Sequence, residues 1–269
     1  MAYVIAIGNQ KGGVGKTTLA INFADLTRRF DGRRVILIDM NPQMHATSTY
    51  GAKSQGAYTI LDVLKKDCSV EDAIQHLPMG DIIAGDKLLA QEKNYFESLM
   101  SRETRLRQAL RKIDDQYDYI FIDTPPELDI FLINALTAAD GCVIPIDPRK
   151  YSVEGLEDFM ETVNDIKEEL NESLKVYGLI VVRYENRRKH HVFIENLPEF
   201  AAKYNIPAFK TTIKTSEYIE SAKEKEDKVA EDGTVIVANR SLLDNYGWTR
   251  AAKEYVEATE ELIRKVEGL

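Results

Sequence analysis

The sequence predicts an α/β fold, a doubly wound and mostly parallel β-sheet with helices on both faces. Two observations support this class. Short, continuously apolar runs recur along the chain, and stretches of helical length separate them. Strands that are buried on both faces have continuous rather than alternating hydrophobicity, and strands that alternate with helices form right-handed βαβ units.

Six apolar runs predict the buried strands of this sheet: 4–7, 35–38, 82–83, 119–122, 142–146 and 176–182. Apolar residues three and four positions apart predict a helix over 156–170. The same spacing predicts a C-terminal helix through Trp248, Ala252, Tyr255, Thr259, Leu262 and Val266. We expect this last helix to pack on the protein's own core, with a partner surface as the alternative. The mixed-charge run 223–228 is typical of a solvated helix face or loop.

The composition is that of an enzyme-sized globular domain. The chain has 269 residues, of which 44% are hydrophobic, and it contains no internal repeat and no Gly/Ser linker, so we expect a single domain over residues 1–269. The net charge of −9 excludes a histone-like protein but allows a local basic patch. Cys68 and Cys142 form no CxxC pair, which fits a reducing cytoplasm. Without a basic leader or a run of roughly 18 apolar residues, we expect neither signal peptide nor membrane span.

A phosphate-binding loop follows the first predicted strand. It reads Lys11-Gly12-Gly13-Val14-Gly15-Lys16-Thr17-Thr18 and leads into a helical segment. The glycines let backbone N–H groups turn inward, and the helix N-terminus adds a partial positive charge, so the segment predicts a cradle for nucleotide phosphates. In such a loop Lys16 contacts the β and γ phosphates, and the Thr17 hydroxyl binds Mg²⁺.

The loop departs from the standard pattern GxxxxGKS or GxxxxGKT. Gln10 occupies the place of the first glycine, and Lys11 adds a second lysine. This form resembles the deviant Walker A loop of the ParA/MinD ATPases, a P-loop family that includes the nitrogenase iron protein and ArsA. The resemblance implies that Lys11 reaches across a dimer interface to the partner's nucleotide. A surface lysine that points at solvent is the alternative.

A carboxylate that holds Mg²⁺ is expected at the end of a neighbouring strand. Asp123 ends the fourth predicted strand, and Thr124-Pro125-Pro126 follows, where the prolines end the strand. This DTPP segment resembles the Walker B and switch II segment of the family, and residues 134–140 resemble ParA in particular. We therefore expect Thr17 and Asp123 to bind the metal.

A third segment of resemblance begins at Asp39. It resembles the ParA segment DxDPQxNATS, but Asn41 replaces the second aspartate and His45 replaces the usual asparagine. In relatives that aspartate is tied to positioning the attacking water, so we expect slow hydrolysis with nucleotide binding retained. Natural divergence and an engineered Asp→Asn exchange both fit this residue. The predicted catalytic residues are Lys11, Lys16, Asp39, Asn41 and Asp123.

Beyond residue 182 the resemblance becomes weaker. Residues 214–216 stand where relatives carry Pro-Arg-Asn or Pro-Arg-Ser near the adenine, so we place the base near Arg183 and Tyr184 instead. A compact basic cluster consists of Arg183, Arg187, Arg188, Lys189, His190 and His191. We expect Arg187, Arg188 and Lys189 to contact DNA phosphates without sequence preference. The alternative is that these charges only keep a loop soluble.

The resemblance implies a ParA-like partition ATPase for plasmid or chromosome segregation, with ATP and Mg²⁺ as cofactors. In this scheme ATP closes a sandwich homodimer and the dimer binds DNA non-specifically. A ParB-like centromere-binding protein then stimulates the hydrolysis that resets it. We expect a cytoplasmic, nucleoid-associated protein.

Three alternatives stay open. A MinD-like ATPase that acts at a membrane needs a basic amphipathic C-terminal helix, whereas acidic residues dominate here. An ATPase like the nitrogenase iron protein or ArsA needs cysteines near the dimer axis, and Cys68 and Cys142 lie outside the matching segments. A relative that positions a protein cargo, or acts in conjugative transfer, shares the fold and the nucleotide switch.

Overall fold

The computed structural model describes residues 1–30, 32–149, 153–223, 228–229, 235–236 and 240–269. Its strands, in chain order, are β1 (Tyr3–Ile7), β2 (Val35–Asp39), β3 (Ile74–Leu77), β4 (Gly80–Ile83), β5 (Tyr119–Asp123), β6 (Gly141–Ile146), β7 (Lys175–Tyr184), β8 (Ala208–Lys214), β9 (Lys228–Val229) and β10 (Val235–Ile236).

Eleven α-helices are seen within the described ranges: α1 (Lys16–Arg29), α2 (His45–Tyr50), α3 (Ile60–Lys65), α4 (Lys93–Glu97), α5 (Arg105–Leu110), α6 (Ile130–Ala138), α7 (Val153–Glu169), α8 (Arg188–Lys203), α9 (Glu217–Lys223), α10 (Leu242–Tyr246) and α11 (Arg250–Glu267). Short 3₁₀ turns lie at Glu71–Ala73, Lys87–Ala90 and Arg102–Thr104.

Eight strands form one sheet in the order β3-β4-β2-β5-β1-β6-β7-β8, and β9 pairs with β10 separately. Every neighbouring pair in the large sheet is parallel except the β3–β4 hairpin. The predicted fold class is therefore confirmed. From the central β1 the chain proceeds toward both edges, and this topological switch point is where open α/β sheets bind ligands, beyond the carboxyl ends of the strands.

The sheet is covered on both faces, and each strand sends alternate side chains to opposite cores. In β5, Tyr119 and Phe121 pack with α1 and α11, whereas Ile120 and Ile122 pack with α6 and α7. All five residues of β5 are buried. Burial on both faces explains why the central strands read as unbroken apolar runs in the sequence.

All six predicted strands are present, and each observed strand extends the predicted run by one to three residues. The sequence prediction missed β3 and β8, which form the two edges of the large sheet. β3 has only half-buried and exposed positions, and β8 mixes these with two buried ones, so neither strand forms a continuous apolar run. A search for unbroken hydrophobicity therefore passes over them.

The β8 edge is capped by carboxylates from the C-terminal helix α11. Glu261 accepts hydrogen bonds from the backbone N–H groups of Lys210 (2.9 Å) and Thr211 (3.1 Å), and Glu254 accepts one from Lys214 (2.8 Å). These glutamates therefore bind the backbone of the edge strand, a contact that the sequence does not predict. They occupy backbone donors that an edge strand otherwise presents to another chain.

The two predicted helices are confirmed as α7 and α11, and α11 packs its apolar side on the protein's own core. Trp248 was wrongly placed in that side: it is 64% exposed and lies before the Thr249 cap that starts the helix. The mixed-charge run falls mostly outside the described residues, at 224–227. Within the ranges described, no helix combines the length and the apolarity that crossing a bilayer requires.

Candidate active site

The predicted phosphate loop forms a tight turn between β1 and α1 at the centre of the sheet. Gly13 and Gly15 have φ of +68° and +90°, values that disfavour any residue with a side chain. Gly15 is the N-cap of α1, and its carbonyl accepts the Leu19 amide at 2.9 Å. The helix N-terminus thus adjoins the cleft, an arrangement that favours phosphate binding.

Lys16, the first residue of α1, folds back across this loop. Its Nζ donates hydrogen bonds to the carbonyl oxygens of Asn9 at 2.9 Å and Lys11 at 3.2 Å. Burial lowers the pKa of Lys16 to about 8, while the carboxylates of Asp123 and Glu127 raise it. A buried ammonium gains stability from an adjacent anion, so Lys16 is suited to a phosphate that enters the cleft.

Asn9 fixes the loop to the sheet and was not singled out by the sequence analysis. Its Nδ2 donates to the Pro145 carbonyl at the end of β6 (2.8 Å), and its Oδ1 accepts the Lys11 amide (2.9 Å). The backbone of Lys11 is therefore held on both sides, because Lys16 binds its carbonyl. A single asparagine before a glycine-rich loop gives no motif that predicts this contact.

The predicted metal ligands lie together. The Thr17 hydroxyl donates a hydrogen bond of 2.7 Å to Oδ2 of the fully buried Asp123, at the carboxyl end of β5. A hydroxyl and a carboxylate beside a phosphate cradle suit Mg²⁺, which completes its octahedron with phosphate oxygens and water. In the part of the chain that is described, no cluster of three or more His, Cys, Asp or Glu side chains offers another metal site.

Asp39 lies behind the wall of the cleft rather than on it. Its Oδ2 accepts hydrogen bonds from the amide (2.9 Å) and hydroxyl (2.7 Å) of Thr47, and its Oδ1 accepts the Asn41 amide (3.0 Å). Burial raises the pKa of Asp39, and these hydrogen bonds lower it. The contacts favour a role for Asp39 in positioning the segment 41–47, not direct contact with a substrate.

Asn41 lies in the wall of the cleft, which has a volume of about 600 Å³. Its side-chain Oδ1 accepts the Gln43 amide at 3.0 Å, which fixes the amide group. The other predicted residues that line the cleft are Gly12, Gly13, Gly15, Lys16, Thr17, Thr18 and Arg183. Of the other loop residues, Val14 is buried and Lys11 is half-buried. Five further residues that we did not predict as site residues also line the cleft: Gln43, His45, Ser48, Thr49 and Pro126.

Arg183 belongs to the cleft and not to the basic cluster. It has φ of +56° near the end of β7, and its Nη1 donates to the Gly13 carbonyl at 2.8 Å. It also lines a second cavity of about 340 Å³, shared with Gly15 and Thr18 and bordered by Arg149 and residues 214–216. This cavity is a suitable place for a base. Tyr184 is buried away from it, and its hydroxyl is 3.0 Å from Nε2 of His191.

The exposed basic cluster consists of Arg187, Arg188 and Lys189 at the start of α8. His190 is buried and its Nδ1 accepts the Glu185 amide at 3.0 Å, so it does not belong to the exposed cluster. Arg187 pairs with the Glu185 carboxylate at 2.6 Å, and the same carboxylate contacts Arg149 of the second cavity at 3.2 Å. Sequence order alone placed Arg183 and His190 in the cluster, whereas in the structure Arg183 lines the cleft and His190 is buried.

Comparison with known proteins gives consistent matches. The family model described as an AAA domain, AAA_31, matches residues 2–176. The chain is 37% identical to the sporulation initiation inhibitor protein Soj of Bacillus subtilis, over 79% of this chain and 84% of that protein.

Two solved structures share the fold over nearly the whole chain. A plasmid partition protein from Borrelia burgdorferi, bound to AMPPNP, has a TM-score of 0.78 at 27% identity and covers 98% of this chain and 100% of that one. Cobyrinic acid a,c-diamide synthase from Mycobacterium smegmatis, with a bound ATP analog and magnesium, has a TM-score of 0.80 at 26% identity and covers 98% and 95%.

Proposed function

We infer the function from a premise that these matches establish: the chain belongs to the ParA-type family of P-loop ATPases. It is an ATPase, and ATP and Mg²⁺ are its cofactors. The residues in the cleft agree with this chemistry. Lys16 and the loop amides bind phosphates, and Thr17 and Asp123 hold the metal beside them.

We propose that this ATPase drives DNA partition. ATP closes a homodimer, the dimer binds DNA without sequence preference in the nucleoid, and a ParB-like partner stimulates the hydrolysis that reopens it. One observation carries the DNA-binding step: the exposed cations of α8 directly follow β7, the strand that brings Arg183 into the cleft. We also propose that residues 1–269 act as one domain, since α11 packs on both α1 and β8.

The first prediction concerns Lys11. Lys11→Ala should impair the ATP-dependent conversion of monomer to dimer more than it impairs nucleotide binding by the monomer. A second lysine in the loop has no task in an ordinary P-loop, which already has Lys16 for the phosphates. Sedimentation velocity with Mg²⁺ and a non-hydrolysable ATP analogue measures the conversion.

The matched control is Lys112→Ala, which removes an exposed lysine far from the loop in sequence. The control should dimerise like the unmodified protein. Equal dimerisation of Lys11→Ala and the control would show that Lys11 does not act across an interface. The dimer proposal itself fails if the unmodified protein stays monomeric.

The second prediction concerns DNA. Arg188→Glu/Lys189→Glu should weaken binding of the ATP state to all duplexes alike, by about tenfold or more, because the lost contacts are to phosphates and not to bases. The salt dependence of binding should also decrease, because fewer counterions are released. Arg187 already pairs with Glu185, so we expect it to contribute less than its two neighbours. Mobility shifts at two salt concentrations measure both effects.

A second variant tests the same surface in the opposite direction. Glu185→Gln removes the carboxylate that pairs with Arg187 and Arg149, and should therefore strengthen DNA binding. Arg111→Glu/Lys112→Glu, an exposed basic pair elsewhere on the chain, is the matched control and should leave affinity nearly unchanged. If the control pair weakens DNA binding as much as the α8 pair does, α8 is not the DNA surface.

A MinD-like function at a membrane receives no support from α11. Its apolar side is buried against the core, and two of its acidic side chains cap β8. A relative that positions a protein cargo stays the second candidate, because it would use the same nucleotide cleft.

A further inference from the structure

The wall of the cleft formed by residues 41–45 lacks the carboxylate that the family segment usually has. Asn41 is held at both ends of the residue: its backbone N–H donates to Asp39 at 3.0 Å, and its side-chain oxygen accepts the Gln43 amide at 3.0 Å. An amide can orient water but has almost no basicity. Asn41 therefore cannot accept a proton from an attacking water.

His45 lies on the same wall, four residues after Asn41 in the sequence. Met44 has φ of +55°, a conformation uncommon for a residue with a long side chain, and its amide donates to the Asn41 carbonyl at 2.9 Å. This turn ends the loop and starts α2 at His45. The imidazole is exposed and lines the cleft together with Asn41, Lys16 and Thr17.

The other charged groups around the cleft already have partners or serve the nucleotide, and the Glu127 carboxylate, which follows Pro126 of the cleft, interacts with Lys16. Among the described residues that line it, Lys16 and Arg183 are cations suited to phosphates. Asp39 is buried and accepts hydrogen bonds from Thr47 and Asn41, and Asp123 accepts the Thr17 hydroxyl at the metal site. Among the described residues that line the cleft, His45 has a side chain whose neutral form carries a ring nitrogen that can accept a proton.

We propose that His45 accepts the proton of the attacking water during ATP hydrolysis in this protein. This role for His45 depends on the ATPase function described above. The water oxygen forms a bond to the γ phosphorus, and the bond from that phosphorus to the bridging oxygen breaks, so that ADP leaves with the electron pair. The water proton moves to a ring nitrogen of His45 and then to solvent, to which the ring is open. Asp39 interacts electrostatically with His45, and the cations Lys16 and Arg183 line the same cleft.

His45→Gln tests the proposal, since glutamine keeps polarity and reach but not basicity. Single-turnover hydrolysis should fall by about tenfold to a hundredfold, near the lower end for a general base. The unmodified protein should show a rate that rises with pH through the imidazole range, and the variant should lack this rise. Affinity for a non-hydrolysable ATP analogue should change less than twofold. His76→Gln, an exposed histidine of β3, is the matched control.

A readout independent of activity is the titration of the ring itself. The chain has four histidines, so ring resonances can be assigned by substitution. Adding Mg²⁺ and AMPPNP should raise the pH midpoint of His45, because phosphates stabilise the imidazolium, and should leave His76 unchanged. Unchanged His45 titration, or a His45→Gln variant with the full rate and pH profile, overturns the proposal. If the unmodified protein and Asn41→Asp both fail to hydrolyse ATP, the ATPase function fails instead.

Discussion

Asn41→Asp is expected to raise the rate of ATP hydrolysis by about 10²-fold, the lower end of general-base contributions. The structure leaves room for the exchange, since a carboxylate can accept the Gln43 amide with one oxygen and present the other to the cleft. Phosphate release in single turnover, with DNA and the cognate partner present, measures the effect. The unmodified protein should hold ATP for long periods and form a long-lived dimer.

Asn41→Ala is the control that separates charge from shape. It removes the amide without adding a base, so it should not raise the rate. If His45 acts as proposed, His45→Gln should cost much less in the Asn41→Asp background, because a carboxylate then takes over the proton. An unchanged rate for Asn41→Asp under these conditions would show that position 41 is not catalytic here, with water held by other groups.

Lys16→Met is expected to weaken binding of ATP by roughly tenfold to a hundredfold, the range for a lost hydrogen bond between charged partners. The same substitution should not reduce the thermal stability of the nucleotide-free protein. Burial lowers the folded-state pKa of Lys16 to about 8, so the fold disfavours the ammonium. The buried ammonium therefore destabilises the folded state. This destabilisation is fully present below pH 8 and decreases as the pH rises through the folded-state pKa. Removing the charge at pH 7 should therefore leave the melting temperature of the empty protein unchanged or raise it.

Thermal unfolding with and without Mg²⁺ and an ATP analogue separates the two effects. The unmodified protein should gain stability from the nucleotide, as any ligand of the folded state requires. At the same ligand concentration the variant should show a smaller gain, while its own melting temperature is preserved. A large loss of stability without nucleotide would mean that the Lys16 hydrogen bonds to Asn9 and Lys11 hold the loop, contrary to this prediction.

The sequence predicted the fold and the place of the glycine-rich loop because both depend on local patterns. The glycine-rich loop follows β1 and Asp123 ends β5, and these strands are parallel neighbours with Ile7 opposite Asp123. Motifs at the carboxyl ends of adjacent strands must meet, so Thr17 and Asp123 were placed together correctly.

Features that depend on tertiary contacts were not predictable. A positive φ turns Arg183 into the cleft, and burial removes His190 from the surface, although both belong to one basic stretch of sequence. The link from Asn9 to Pro145 joins residues 136 positions apart, which no local pattern encodes. The second cavity, beside residues 214–216, likewise arises from strands that only the complete sheet brings together.

The carboxylates that cap β8 have a consequence for how copies of this protein can meet. An open strand edge can pair with another chain, and repeated pairing of this kind produces filaments of stacked strands. Here the Glu254 and Glu261 side chains occupy backbone donors along one margin of the sheet. Continuous cross-chain β-structure is thereby discouraged at this margin. The homodimer that we propose would then form through other surfaces, made of side chains and loops, where a bound nucleotide could control it.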